Sequence, residues 1–561
     1  MDSSAARTFL AIALSMAVIL LWQMYIAKTH PPRMLDASYS DASDNSLPNQ
    51  TEEKSSTDEV KASDDSNKVN KNEPSDGSAI EYEEKTVSLS NNLFNAVFTN
   101  RGGRLKEFTL KKYYLPHAKD KNVNLVHDSS DTLSFLLNNK LYRFSGDDRY
   151  DFISVSERQL VLEFLHPDGI LITKEYSIVG DYELALKITV TNKSEKEFTF
   201  KPELVLSDYA LKGGLGTNEL KSSLMEYYYP LCLANESLLD GLELKKGPVS
   251  KSQEGSIGWI ASTSRYFISA VIPVEQKVSL CRFSSNNNYY FTASLLYPER
   301  KIEKGNKTTI SYRLYFGPKG YSMLKKVGSD LNRSVDFGWL AVLCIPLLYL
   351  LNLFNSFVHN YGISIIILTV IVKLISIPFT QKSMKSMQEL QKIKPKMDEI
   401  QKKYKDNKEK LNEEMMRLYR EHGVSPFGGC LPMILQMPIW FALYRMLSNS
   451  VELYQAAFIP GWINDLSSKD PYYILPVLLG VGTYLQQRLT PSTMDSTQAK
   501  VMLYFMPIFL TFIMISLPSG LTLYIFVSSI LSIIHQIYMN KTGQSNQINK
   551  NQTKSLREEQ K

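Results

Sequence analysis

Residues 501–540 read VMLYFMPIFLTFIMISLPSGLTLYIFVSSILSIIHQIYMN, a run with no Asp, Glu, Lys or Arg. As one helix it would be about 60 Å long, twice the hydrocarbon thickness of a bilayer, so it has to fold back. Pro518-Ser519-Gly520 near its middle supplies the break, giving two antiparallel membrane spans, 501–517 and 521–540. Outward from this run the same blank recurs at 8–27, 337–372, 424–444 and 471–487. Yet the chain of 561 residues is 44% hydrophobic and 21% charged, with a mean hydropathy of -0.18, the averages of an ordinary soluble protein. Charge is therefore segregated. Backbone groups inside a bilayer must be satisfied internally, so the blank runs read as transmembrane helices and the remainder as a large soluble part.

The run 9–27 (FLAIALSMAVILLWQMYIA) reads as an uncleaved anchor: it is long for a signal-peptide core and lacks a small residue three before its end. The run 337–372 is too long for one upright span and is interrupted by Asn352, Asn355, Ser356, His359 and Asn360. Residues 321–360 are expected to be an amphipathic interfacial segment, with a helix over 337–355 and Trp339 at the headgroup level, and 361–380 a span. Six spans result: 9–27, 361–380, 426–446, 472–488, 501–517 and 521–540. Parity puts 1–8, 381–422, 489–500 and the tail 541–561 on one side, and 28–336 with the loop 448–470 on the other. The segment 381–422 holds twelve Lys or Arg, while 448–470 holds only Lys469. The positive-inside rule then makes the first group, with both termini, cytoplasmic and the large domain external.

Residues 28–81 are rich in Ser, Asp, Asn and Glu and read as a disordered linker. From 82 to 320 the chain alternates in short segments, such as Tyr182 to Val190, Gln159 to Leu165 and Thr309 to Phe316, the pattern of an antiparallel β-sandwich. Cys232 and Cys281 both fall there; spacing does not decide whether they are bonded. His117, His127 and His166 show no metal-ligand or catalytic spacing, and Gly213-Gly214-Leu215-Gly216-Thr217 lacks the Gly-Lys-Ser/Thr of a phosphate loop. No Walker motif occurs, so no cofactor, metal or nucleotide hydrolysis is expected and no catalytic residue is assigned.

Lys373 stands well inside the span 361–380, where an ionisable group marks a functional candidate. Thr369, Lys373, Ser376 and Thr380 recur at helical spacing and form one polar stripe. Lys373 either snorkels to the cytoplasmic interface, pairs with an acidic residue from an interfacial loop, or stands in a wet, protein-lined cavity able to attract an acidic group. Gln436 lies between Pro432 and Pro438 in the third span. The sixth carries Tyr524 above Ser528, Ser529, Ser532, His535 and Gln536. Each alone suits interhelical packing; with Lys373 they outline a cavity. In 381–422, Met384, Met387, Ile393, Met397, Ile400 and Tyr404, then Leu411, Met415 and Leu418 after Asp406-Asn407, predict a helical hairpin. It serves as a self-packed coiled coil or as a Met-rich surface for apolar segments. The weakly basic tail suits anionic membrane lipids; nothing points to specific nucleic-acid recognition.

Ser425-Pro426-Phe427-Gly428-Gly429-Cys430-Leu431-Pro432, continuing to Gln436-Met437-Pro438 and Ala442-Leu443-Tyr444, resembles the signature of the YidC membrane protein insertases. Asp470-Pro471-Tyr472-Tyr473-Ile474-Leu475-Pro476 and Leu517-Pro518-Ser519-Gly520-Leu521 resemble that family's later spans. The resemblance covers the whole chain and implies a Gram-negative type fold: a polytopic α-helical membrane protein with six transmembrane helices, a five-helix core, a periplasmic antiparallel β-supersandwich and a cytoplasmic helical hairpin. It implies insertion and folding of nascent membrane proteins into the bacterial inner membrane, alone or with the Sec translocon, after ribosome delivery. It further implies a hydrophilic groove with a basic residue, usually arginine, at the position of Lys373; lysine keeps the charge without the planar donor fork. Thr369 and Gln436 match groove positions, and Ser376 shares the stripe. Tyr524 falls in the substrate-facing region, beside Ile525 where relatives commonly carry an aromatic. The outer domain is similar in fold to sugar mutarotases, which by itself confers no activity. The rival expectation is a membrane-anchored periplasmic carbohydrate-active or sugar-binding protein.

Overall fold

The computed structural model describes residues 83–115, 118–126, 132–138, 148–209, 228–241, 249–275, 278–285, 290–405, 407–423, 431–490 and 496–559. The expected anchor 9–27 and linker 28–81, His117, His127, the Gly213–Thr217 stretch and residues 425–430 of the signature lie outside them.

Strands occupy the chain from Thr86 to Pro318 and form three sheets, antiparallel throughout. The largest has nine strands in the spatial order Ser237–Asp240, Tyr229–Ala234, Ile257–Thr263, Phe267–Pro273, Lys307–Pro318, Glu183–Asn192, Ile170–Ile178, Gln159–Leu165 and Asp151–Val155. A six-stranded sheet is centred on Phe198–Tyr209, and a four-stranded one comprises Thr86–Ser90, Phe94–Thr99, Arg104–Leu115 and Ala118–Asn124. Burial alternates strictly along Ile170–Ile178, the period that puts every second side chain into the core. Ile170, Ile172, Tyr176 and Ile178 obey it, and so does Lys174, which is fully buried. Its Nζ donates to the carbonyls of Gly102 at 2.7 Å and of Gly103 and Leu133 at 3.3 Å. It thereby ties down a turn in which Gly102 and Gly103 take φ of 67° and 54°. Cys232 and Cys281 form a disulfide between the nine- and six-stranded sheets.

The helical part begins with α1 (Tyr321–Val327), and a short 3₁₀ turn at Gly338–Leu340 leads into α2 (Ala341–Val358). The helix α2 is apolar on both faces: Cys344, Leu348 and Leu351 are buried, whereas Trp339 before it and Val342, Tyr349 and Phe357 along it are well exposed. His359, at φ 51°, ends the helix, and the Asn360 side chain accepts from Ile363 N to cap the next one. That next helix, α3 (Tyr361–Lys403), runs unbroken for 43 residues through Pro378 and Pro395. The sequence reading separates span from hairpin at 380, but no helix boundary occurs there. Each proline removes one backbone hydrogen bond, and the helix continues through both. At about 65 Å, α3 outruns a bilayer and its C-terminal half extends past it.

Asn407 caps α4 (Lys408–Glu421) through Lys410 N. Leu390, Ile393 and Met397 of α3 close on Leu418 of α4, with Ile400, Met415 and Tyr419 around them; Met384 and Met387 are only half-buried. Then follow α5 (Leu431–Asn449), α6 (Ile474–Leu489), α7 (Ser496–Met514) and α8 (Ser519–Glu559). The break expected at Pro518 falls between α7 and α8. There the amides of Ser519 and Gly520 donate to the carbonyls of Ser468 at 2.7 Å and Leu466 at 2.9 Å, so the loop before α6 satisfies the helix start. Among the described residues, Gly338–Val358, Tyr361–Lys403 and Ser519–Lys541 are long and apolar enough to cross a membrane, and Met502–Met514 is a shorter apolar helix.

Candidate functional site

The polar groups expected to form a site sit on α3, α5 and α8. Lys373 of α3 is half-buried, and its Nζ donates to Ser532 Oγ of α8 at 2.7 Å. The Ser532 hydroxyl donates in turn to the Ser528 carbonyl at 2.8 Å. None of the ion pairs among the described residues involves Lys373. Farther along α8, Tyr524 is buried and its hydroxyl accepts from Gln436 Nε2 of α5 at 3.3 Å. Tyr524, Ser528 and Ser532 recur every four residues, one face of a helix. A single face of α8 therefore links both pairs, with α3 at one end and α5 at the other.

Thr369 and Ser376 behave differently. Thr369 is buried and its Oγ1 donates to the Ile365 carbonyl at 2.6 Å, while Ser376 Oγ donates to the Lys373 carbonyl and Thr380 Oγ1 to the Ser376 carbonyl, each at 2.8 Å. Away from water, a helical Ser or Thr commonly gives its proton to the preceding turn. The stripe on α3 therefore offers lone pairs and one ammonium, with the hydroxyl protons already committed. The sequence places Ser532 among the polar residues of the sixth span but not its bond to Lys373, 159 residues away. The four-residue recurrence of hydroxyls on α8 was the available signal.

The site is framed at its far end by the 448–470 loop and the residues just before α6. Asp470, 2% exposed, accepts from Leu475 N at 2.7 Å, Trp462 Nε1 at 2.8 Å and Tyr472 N at 3.1 Å. The Asp-Pro-Tyr-Tyr motif thus works as the start of α6. The same loop meets the β domain: Gln455 Nε2 and Tyr454 OH both donate to the Tyr114 carbonyl, at 2.7 and 2.6 Å, and Arg265 Nε donates to the Ser448 carbonyl at 2.6 Å. Arg445 at the end of α5 pairs with Asp336 at 3.1 Å. Among the described residues no cluster of three His, Cys, Asp or Glu could hold a metal ion.

A family model described as "60Kd inner membrane protein" matches residues 353–547, and one described as "YidC periplasmic domain" matches residues 86–350. The "Membrane protein insertase YidC" of Syntrophus aciditrophicus (strain SB) is 36% identical over 563 residues, 95% of this chain and 99% of that protein. Its namesake from Geotalea uraniireducens (strain Rf4) is 37% identical over 474 residues, 82% of this chain and 87% of that one. Among solved structures, an "Active YidC insertase" overlaps 81% of this chain and 92% of its own at 18% identity, with a TM-score of 0.36. A galactose mutarotase related enzyme from Lactobacillus acidophilus overlaps 41% of this chain and 97% of its own at 9% identity, with a TM-score of 0.30.

Proposed function

Since this chain belongs to the YidC family of membrane protein insertases, we propose that it inserts and folds integral membrane proteins in the bacterial inner membrane, alone or with the Sec translocon. A relative that matches nearly end to end and another that covers 82% of this chain both bear the insertase name. The observation that carries the mechanism is Lys373: a half-buried ammonium in an otherwise uncharged stretch, held by one serine hydroxyl.

In this reading six spans cross the membrane, at 9–27, 361–380, 426–446, 472–488, 501–517 and 521–540, with both termini and the 381–422 hairpin in the cytoplasm and 82–320 in the periplasm. A nascent chain arrives from the ribosome. Its hydrophilic flank enters a groove lined by Lys373, Thr369, Ser376, Gln436 and Tyr524. Opposite charge draws an acidic flank toward Lys373, and water and lone pairs in the groove lower the cost of moving polar groups into the bilayer. The apolar helix of the substrate then leaves between the third and sixth spans, and transfer of its surface into lipid drives completion. No covalent chemistry and no nucleotide are needed, since the work comes from solvation and hydrophobic transfer.

Insertion into reconstituted vesicles tests this. Lys373→Ala and Lys373→Glu should slow substrates with acidic translocated segments, the glutamate variant more. Equal efficiency of both variants and the parent chain removes the role given to the charge.

A further inference from the structure

His535 is a titratable group beside the site that the mechanism above leaves unused. It lies one turn beyond Ser532, the residue that holds Lys373 Nζ, on the same side of α8. Its Nε2 is buried and has no hydrogen-bond partner. A ring nitrogen in that position carries either a proton without an acceptor or a lone pair without a donor. Buried groups of this kind are uncommon and call for a physical reason. The pair next to it is saturated on one side only: Ser532 gives its proton to Ser528, whereas Lys373 Nζ has three protons and gives one to Ser532.

We propose that Lys373 and His535 together hold the carboxylate of an acidic side chain in the polar flank of an inserting chain. One carboxylate oxygen takes a proton from Nζ and the other takes the Nε2 proton. The inference rests on the insertase reading, including its acidic flank, and adds to it a second contact residue, His535. Two basic groups on adjoining helices, neither in an ion pair among the described residues, favour a carboxylate over the neutral amide of the same shape.

The test uses the full chain in vesicles and two single-span substrates that differ only by Glu or Gln in the translocated flank. The parent chain should insert the Glu substrate faster. His535→Phe should lower the Glu rate roughly tenfold, the worth of one charge-assisted hydrogen bond, and leave the Gln rate within about twofold. His535→Gln should keep most of the Glu rate, since its amide restores a donor. Equal losses on both substrates, no loss on either, or no preference in the parent chain overturns the assignment. If His535→Phe fails to assemble, His535→Met is set against His535→Gln with the same two outcomes. Should Lys373→Ala slow the Glu substrate while the His535 variants do not, only the role of His535 falls; should neither matter, the reading of the groove falls with it.

Discussion

Removing the Cys232–Cys281 bridge separates the stability of the β domain from the work of the helices. The perturbation is Cys232→Ala with Cys281→Ala. Both cysteines are fully buried, and the bridge closes a loop of sequence separation 49 between two sheets. In the chain-entropy account, opening a loop of that length releases about 4 kcal/mol of denatured-state freedom, and the cavity left by two sulfurs adds to the loss. For a β domain of 150–250 residues, each kcal/mol moves the midpoint by about 2–4 °C, so the domain should melt roughly 8–16 °C lower. Trp259 reports on this directly, because it is fully buried and pairs with Leu233, the neighbour of Cys232. The measurement is a fluorescence melt of the detergent-solubilised chain, alongside vesicle insertion below the lowered midpoint. Insertion should persist, because Lys373, Ser532, Gln436 and Tyr524 all sit on helices. A midpoint within about 2 °C of the parent refutes the stability argument, and loss of insertion by the folded variant refutes the placement of the site.

Burial pushes the Lys174 ammonium down to about 7 from its ordinary 10.5. Because the folded value is the lower one, the unfolded chain binds the extra proton between about pH 7 and 10.5. Stability should therefore rise with pH through that window and be lowest below it. Melting of the parent chain at pH 7 and pH 9 checks this: the midpoint should climb, and Lys174→Met should flatten the climb while lowering stability, since the three carbonyls lose their donor. Asp470→Ala removes three accepted hydrogen bonds from a buried carboxylate and should cost about 3 kcal/mol. Limited proteolysis should find the 448–470 loop cut faster, and an unchanged digestion rate contradicts its role in holding α6.

Tyr361–Lys403 and Ser519–Lys541, two of the three described helices long and apolar enough to cross a membrane, contain spans legible from excluded charge, and the β domain was legible because alternation at Gln159–Leu165 or Glu183–Asn192 is a local property of a half-buried strand. Lys373 was conspicuous for the same reason, as an ionisable residue beside a long blank. What escaped is what depends on neighbours distant in sequence. Cys232 and Cys281 meet only because two sheets face each other, so spacing was silent. The continuity of α3 through Pro378 runs against a residue normally read as a stop, and local spacing does not foretell it. Thr369, Ser376 and Thr380 share a face by their spacing, yet each hydroxyl turns back to its own helix. Periodicity assigns a face and says nothing of where the proton goes.

The central claim is that the polar groups on α3, α5 and α8 meet the inserting chain. A photo-crosslinking probe placed in turn at 369, 373, 436 and 524, challenged with a ribosome-bound stalled membrane-protein chain, tests it most directly. Adducts to the nascent chain are expected at all four positions, and none from probes on the outward face of α2 at Val342 or Tyr349. Adducts from α2 with none from the four positions would contradict it.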